Sequence, residues 1–473
     1  MKKIILGMTL LAAVGTFTSC SDFLNEEPKL KQSNELTFST FDGLDAATVA
    51  LYGMMQSASW YDGQFLLQSE LRAGNAKNPI SEPGSGRYRQ DTQWNYTENS
   101  TSSLWSYAYY TIARANNVIN HVDATNLGTA TQQDANNIKA EALFMRALCH
   151  FDLVITYAQP YTVSPDGLGV PVDTVTVNGQ PARNTVREVY TQIVSDLKSA
   201  ESLMSDKYTR SGVDDNAAVA SKQAIQALLS RVYLYMGEWQ NAADYATKVI
   251  NSGKYSLADA SAYKTMWSAS VAPKGGEIIF ELYGSNKNDY WDESGWTHLP
   301  YILDRGNDGS ADVCATKDLV SMYEEGDVRA SLYELANGDY FVLKYKGKDG
   351  GVPRCVNVPI LRLSEMYLNR AEAISNGAAI SGVTARGDLE AIATKRGATV
   401  PDQFNIFDER RKELAFEGHI VYDYARFKKA LTRTDFDGTV NKDIPAAPDY
   451  RWAMPIPKRE MEANKSMVQN PGY

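Results

Sequence analysis

Two stretches of the chain gather aromatic rings beside amide and charged side chains. RYRQDTQWNYTENS, residues 87–100, sets Tyr88, Trp94 and Tyr96 beside Arg89, Asn95 and Asn99. YGSNKNDYWDESGWTHLPY, residues 283–301, sets Tyr283, Tyr290, Trp291, Trp296 and Tyr301 beside Asn286, Asn288 and Asp292. A pyranose presents a flat face of C–H groups that an aromatic ring can cover, while amide, carboxylate and guanidinium groups bond its hydroxyls. Neither stretch has the 3.6-residue periodicity of a buried helical face, so both read as recognition surface carried on irregular chain. The candidate ligand residues are therefore Tyr88, Trp94, Asn95, Tyr96, Tyr283, Asn288, Tyr290, Trp291, Asp292 and Trp296. Any single Trp of this kind can equally pack beneath its own loop, and the case rests on the rings as a group. Three stacked rings at roughly 0.5–1.5 kcal/mol each give about 1.5–4.5 kcal/mol, the scale of a millimolar complex. Binding of that strength captures and releases.

Catalytic readings fare worse. A glycosidase needs two carboxylates at a set separation, one of them with a raised pKa. Asp289, Asp292 and Glu293 lie among rings, but contacts to a ligand or a solvated loop account for them. His121, His150, His298 and His419 fall into no Ser/His/Asp or metal-ligand spacing. DRGNDGSAD, residues 304–312, holds several oxygen donors yet lacks the spacing and closing Glu of an EF-hand, and reads as a turn. The four cysteines, Cys20, Cys149, Cys314 and Cys355, form neither a CxxC pair nor a Cys/His cluster. No catalytic residue, metal or cofactor is expected.

The elements that must hold the ring-rich stretches are helices. Ala140, Leu143, Phe144, Ala147, Leu148, Phe151, Val154 and Ile155 recur at three- and four-residue steps, the stripe of an amphipathic helix. Leu104, Ala108, Ile112, Ala115 and Ile119 make a similar face, with Thr101 or Ser102 as its N-cap. Thr185 and Glu188 form a capping box ahead of a third helix. In SKQAIQALLSRVYLYMGEWQNAADYATKVI, Leu229, Ser230 and Tyr233 match a tetratricopeptide first helix, Gly237 makes the turn, and Ala242 and Ala246 keep the spacing of the second. LRLSEMYLNRAEA, residues 361–373, reads as another first helix. GGEIIFELYG and DYFVLKYKG have the composition of short strands. The expected fold is mainly α: a tetratricopeptide-like helical-repeat scaffold with a variable, loop-rich region containing short strands.

At the N-terminus, Lys2 and Lys3 precede an apolar run from Ile4 to Val14 and small residues as far as Ser19, the three parts of an export signal. The apolar run is too short for a membrane-spanning helix, which needs about 20 residues. Phe17-Thr18-Ser19-Cys20 resembles a bacterial lipobox, with Phe in place of the usual Leu, and marks Cys20 for lipidation. Each buried methylene of an acyl chain contributes about 0.8 kcal/mol, so two or three chains hold a protein on a membrane. Lys+Arg of 47 against Asp+Glu of 57 gives a net charge of −10. That excess of negative charge argues against nucleic acid or anionic lipid as a partner.

Taken in order, CSDFLNEEP, LWSYAYYTIARANNVI, AEALFMRALCHFDLVITY, VYTQIVSDLKSAESL, SKQAIQALLSRVYLYMGEW, NRAEA, ERRKELAFEGHIVYDYARF and PIPKREMEANKSMVQNPGY resemble the blocks of the SusD/RagB outer-membrane lipoproteins. LEAIATKRGA, residues 389–398, is a degenerate version of one further block. The resemblance implies a signal peptide over 1–19, a helical, tetratricopeptide-like region over 20–265, and a C-terminal region over 266–473 with variable ligand-binding loops and closing helices. It implies a nutrient-binding, non-catalytic lipoprotein, anchored by lipid alone in the outer membrane and facing outward. Its partners would be an oligosaccharide and a SusC-like TonB-dependent transporter. A peptide ligand, a protein-interaction scaffold and, last, a surface glycoside hydrolase are the alternative readings. In ERRKELAFEGH the charges fit helix-surface pairs and networks, a structural role.

Overall fold

The computed structural model describes residues 37–80, 86–100, 103–176, 179–210, 213, 216–284, 298–305, 309–348, 355–436 and 441–473. Cys20 and the export signal lie outside them. Helices dominate: α1 Phe41–Met55, α2 Gln64–Arg72, α3 Leu104–His121, α4 Gln132–Tyr157, α5 Val186–Leu203, α6 Lys222–Met236, α7 Trp239–Asn251, α8 Leu363–Ser375, α9 Ala385–Arg396, α10 Ile406–Glu413 and α11 Ile420–Arg426. Among the described residues, no helix is long and apolar enough to cross a membrane.

The periodic segments form the helices expected of them. Thr185 and Glu188 close the capping box of α5, and Thr131 with Asp134 closes another at the start of α4. The start of α3 differs from expectation. Ser103 is its N-cap and makes no side-chain capping bond. In the pair α6 and α7, Gly237 turns the chain with a φ of 74°, a left-handed conformation that glycine adopts without strain. The Ser230 hydroxyl donates to the Ala242 carbonyl at 3.0 Å. Small residues at that crossing let the two backbones approach closely. The C-terminal helix α8 then packs on α7, α9 packs on α8, and α4 packs between α3 and α5. One continuous apolar core links residues from Phe38 to Met467.

The strand-like stretches do form strands, but in different sheets. β2 (Ile278–Leu282) pairs antiparallel with β6 (Val358–Arg362) and is buried throughout. β1 (Ala76–Lys77), β3 (Cys314–Ala315), β4 (Tyr333–Ala336) and β5 (Asp339–Val342) form the other sheet, in the order β1-β3-β5-β4.

α4 departs from a one-striped helix. From Ile138 onward it is buried nearly all round, so its polar residues find partners inside. Arg146 pairs with Asp196 at 2.6 Å, and Asp152 accepts bonds from Trp60 and Tyr61 at 2.8 and 3.1 Å. His150 Nδ1 lies 3.1 Å from the Arg146 carbonyl, and burial, then the Arg146 charge, push its pKa down to about 3. It is a neutral structural histidine.

The charges of ERRKELAFEGH act across elements more than along a helix. Helix α10 ends at Glu413, and Gly418 turns the following segment with a φ of 83°. Glu413 lies 2.8 Å from Arg396, 3.1 Å from Arg362 and 3.3 Å from Arg329. Glu417 lies 2.6 Å from both Arg362 and Lys344. Glu277 lies 2.9 Å from Arg396, and Asp327 lies 2.7 Å from Arg329. Four cations thus meet four carboxylates, all buried. Such a set is stable only while complete, because each isolated charge would face a large desolvation cost. It locks β2, β6, α9 and α10 together.

Candidate ligand-binding site

The first ring cluster folds around a single helical turn, Arg89–Gln93, flanked by Tyr88 and Trp94 with φ of 63° and 55°. Bulky residues seldom take that left-handed conformation, and here it turns Trp94 inward. Its indole N–H donates to the Arg72 carbonyl at 2.8 Å. The Arg72 guanidinium lies 4.6 Å from the Trp94 ring centre and 5.3 Å from that of Tyr96, and Trp452 meets Trp94 edge-on at 5.0 Å. Trp94 is 3% exposed and Tyr96 6%.

These two rings are therefore not sugar platforms. They cover a buried guanidinium that also donates to the carbonyl of Arg451 at 2.7 Å, and so tie the C-terminal segment to α2. The sequence signal that points to this is Arg72, a cation at the end of a helix that also carries Phe65, Leu66, Leu67 and Leu71. Of the same cluster, Asn95 is exposed and Tyr88 half-buried. Burial, then the charge of Asp91, push the Tyr88 hydroxyl pKa upward.

In the second cluster, Asn288, Tyr290, Trp291, Asp292 and Trp296 lie outside the described residues. Tyr283 is described and half-buried. The Lys348 ammonium sits 3.8 Å from its ring centre, so a cation already shares that ring. Both ends of the segment rest on the turn that follows α1. Gln56 donates to the Tyr283 carbonyl. At the other end, His298 Nδ1 lies 2.6 Å from the Asp62 carboxylate and Leu299 N–H donates to the Asp62 carbonyl at 2.9 Å.

The two clusters meet at one corner, through Arg87 and Tyr301. Arg87 pairs with Asp312 at 2.9 Å; its side chain stays 30% exposed while that of Asp312 is fully buried. The same guanidinium lies 5.9 Å from the Tyr301 ring centre. Asn78 donates to the carbonyls of Arg87 and Asp312 at 2.8 and 2.9 Å, which fixes strand-side and loop-side chain together. Beside them, a water-sized depression is lined by Asn78, Arg89, Thr92 and Gln93. Half-covered rings, a planar guanidinium and amides at one rim are the groups that grip a sugar by one face and its hydroxyls. Arg87, Asn78 and Asp312 were not foreseen. Asp312 is the last residue of DRGNDGSAD and pairs with Arg87. Among the described residues, no group of His, Cys, Asp and Glu could hold a metal ion.

Comparison with known proteins agrees with this architecture. A family described as starch-binding and associating with the outer membrane matches residues 22–234. The SusD family matches residues 340–473. The solved structure of a SusD superfamily protein from Bacteroides thetaiotaomicron VPI-5482 is 31% identical, covers 91% of this chain and all of its own, and superposes with a TM-score of 0.81. SusD-like protein P2 of Formosa agariphila is 26% identical over 98% of this chain and 99% of its own length. The starch-binding protein SusD of Bacteroides thetaiotaomicron is 33% identical over 25% of this chain and 22% of its own. The fold and this likeness define a helical, outer-membrane-associated class of protein. The chain belongs to the SusD/RagB family.

Proposed function

We propose that the protein is a non-catalytic surface lipoprotein, held by lipid on Cys20, that captures an oligosaccharide and delivers it to a SusC-like TonB-dependent transporter. The observation that carries the reading is the corner where Arg87, Tyr88 and Tyr301 meet, fixed from below by buried Asp312. Rigid backing lets such a rim bind without ordering itself first, which spares affinity for the ligand. Family membership supports the same class of ligand, since a starch-binding description attaches to the family matched by residues 22–234. Trp291 and Trp296 remain the proposed platforms on sequence grounds, with Asn288, Tyr290 and Asp292 beside them.

A glycan array probed with the purified protein tests the reading. Retention of one glycan class, weakened several-fold by Tyr301→Ala and by Trp291→Ala with Trp296→Ala, is the expected result. Retention untouched by all of these changes favours the protein-interaction scaffold instead. Cleavage of a bound glycan, lost on changing one carboxylate, would make the protein a hydrolase. Incorporation of labelled palmitate, abolished by Cys20→Ala, tests the anchor, and co-purification with a TonB-dependent receptor tests the partner.

A further inference from the structure

A second cleft shares no lining residue with the Arg87 corner. It has a volume of about 570 Å³ and runs between α3 and the short C-terminal helix Lys458–Ala463. Its walls include Trp105, Tyr109, Tyr110, Asp173, Arg459 and Glu460. That volume falls within the range of about 300–1,000 Å³ typical of small-ligand pockets. Trp105 and Tyr109 are held as a rigid pair, with ring centres 5.0 Å apart. The Tyr109 hydroxyl donates to the Pro171 carbonyl at 2.9 Å, and the Trp105 indole N–H reaches Glu460 Oε2 at 3.3 Å. Tyr110, the next residue on the helix, is 55% exposed, so a large ring stands open at the mouth.

The charges in the cleft are unbalanced. Glu460 receives the Trp105 N–H and, on its other oxygen, the Asn464 amide at 3.2 Å, but among the described residues it forms no ion pair. Asp173 uses its backbone, not its carboxylate. Its N–H donates to His150 Nε2 at 3.4 Å and its carbonyl accepts from Asn116 at 3.2 Å. Among the described residues the Asp173 carboxylate accepts no hydrogen bond. Burial, then the nearby charge of Glu460, raise its pKa; the Tyr109 hydroxyl, whose pKa is raised chiefly by burial, feels both carboxylates and, opposing them, the charge of Arg183, which is engaged by backbone carbonyls and Asn470. The cation among the described lining residues, Arg459, is exposed to solvent. Two half-sheltered carboxylates beside three rings form a site for a positive charge carried on an apolar body.

We infer that this cleft is a separate binding site for a saccharide bearing a protonated amine, an amino sugar, with the ammonium between Asp173 and Glu460 and the ring face on Tyr110. Position and charge both set it apart from the corner proposed for oligosaccharide capture.

Calorimetric titration of the purified, detergent-solubilised full chain with a glucosamine tetramer and with its fully N-acetylated counterpart tests the inference, at a pH where the free amine is protonated. The free-amine tetramer is expected to bind about tenfold tighter, a difference of about 1.4 kcal/mol. Asp173→Asn should cut that preference, and Asp173→Asn with Glu460→Gln should remove it; the amides keep the shape and the acceptor for Trp105. Tyr110→Ala, at an exposed position where folding is not at stake, should weaken both tetramers. Equal affinity for the two tetramers, binding of neither, or a preference that survives the double amide variant overturns the inference.

Discussion

Two regions of the molecule are built from the same three ingredients, arginine, carboxylate and aromatic ring, and differ in what surrounds them. Beneath β2 and β6, the Arg362 side chain is 1% exposed and pairs with Glu277, Glu413 and Glu417, and Trp267 lies 5.3 Å from its guanidinium. At the outer corner, Arg87 holds Asp312 on its inner side and stays 30% exposed, with Tyr301 half-buried beside it. The first arrangement is saturated by its own chain and can only support structure. The second stays partly open to solvent at its guanidinium and its ring. Composition alone does not separate support from recognition; the degree of burial does.

That contrast is most sharply broken at Arg362. Arg362→Met leaves three buried carboxylates short of a partner and should cost about 3–5 kcal/mol in denaturant unfolding. A loss below about 1 kcal/mol would show that the network adjusts, as exposed pairs do. Trp94→Ala comes next, at about 3 kcal/mol, near the lower bound for deleting a large buried ring. Glycan retention per folded molecule should be unchanged, because Trp94 covers Arg72 rather than ligand. Retention lost without loss of stability would return Trp94 to the recognition surface.

Smaller effects come from titration. Burial pushes the pKa values of Glu70, Asp91 and Asp152 up to about 7. Between about pH 4 and that value the folded chain holds protons that the unfolded chain has lost, so stability falls as pH rises through the window. Burial also works against the charges of Glu417 and Asp423, but Arg362 and Lys344 hold the first, and Arg410 and Arg426 the second, below the usual carboxylate range. Their contribution is full above about pH 4 and is lost as pH falls further. Stability should therefore peak in mild acid. Asp91→Asn should flatten the neutral-side slope by up to about 1.4 kcal/mol per pH unit, read from unfolding curves across that side. The smallest stability effect is expected at the corner itself. Arg87→Lys keeps a charge beside Asp312 and should cost under about 1 kcal/mol in the same unfolding assay. It loses the planar fork, so glycan retention should drop several-fold while the fold stands.

The helical frame was legible because its information is local. The α5 capping box and the Gly237 turn each depend on residues within a few positions of one another, and periodicity carried the rest. Trp94 and Tyr96 were misread because what covers them is distant in sequence: Arg72 on α2, and Trp452 near the C-terminus. A ring in irregular chain looks exposed until the element that packs on it is known. The same holds for Asp312, whose partner Arg87 lies more than two hundred residues away, and for β2 and β6, whose pairing the strand propensities could not specify. In ERRKELAFEGH the structural role was readable from composition, but not the partners, which come from several other segments.

The way the segment between Tyr283 and His298 is planted has an evolutionary corollary. Its feet stand on Gln56 and Asp62, six positions apart in one short turn, so the spacing of the feet is fixed by the frame. Doubling the length of a joining stretch costs only about 0.6 kcal/mol in closure entropy. New ligand preferences can thus be installed like an interchangeable cartridge, with the helical chassis and its ion network left as they were.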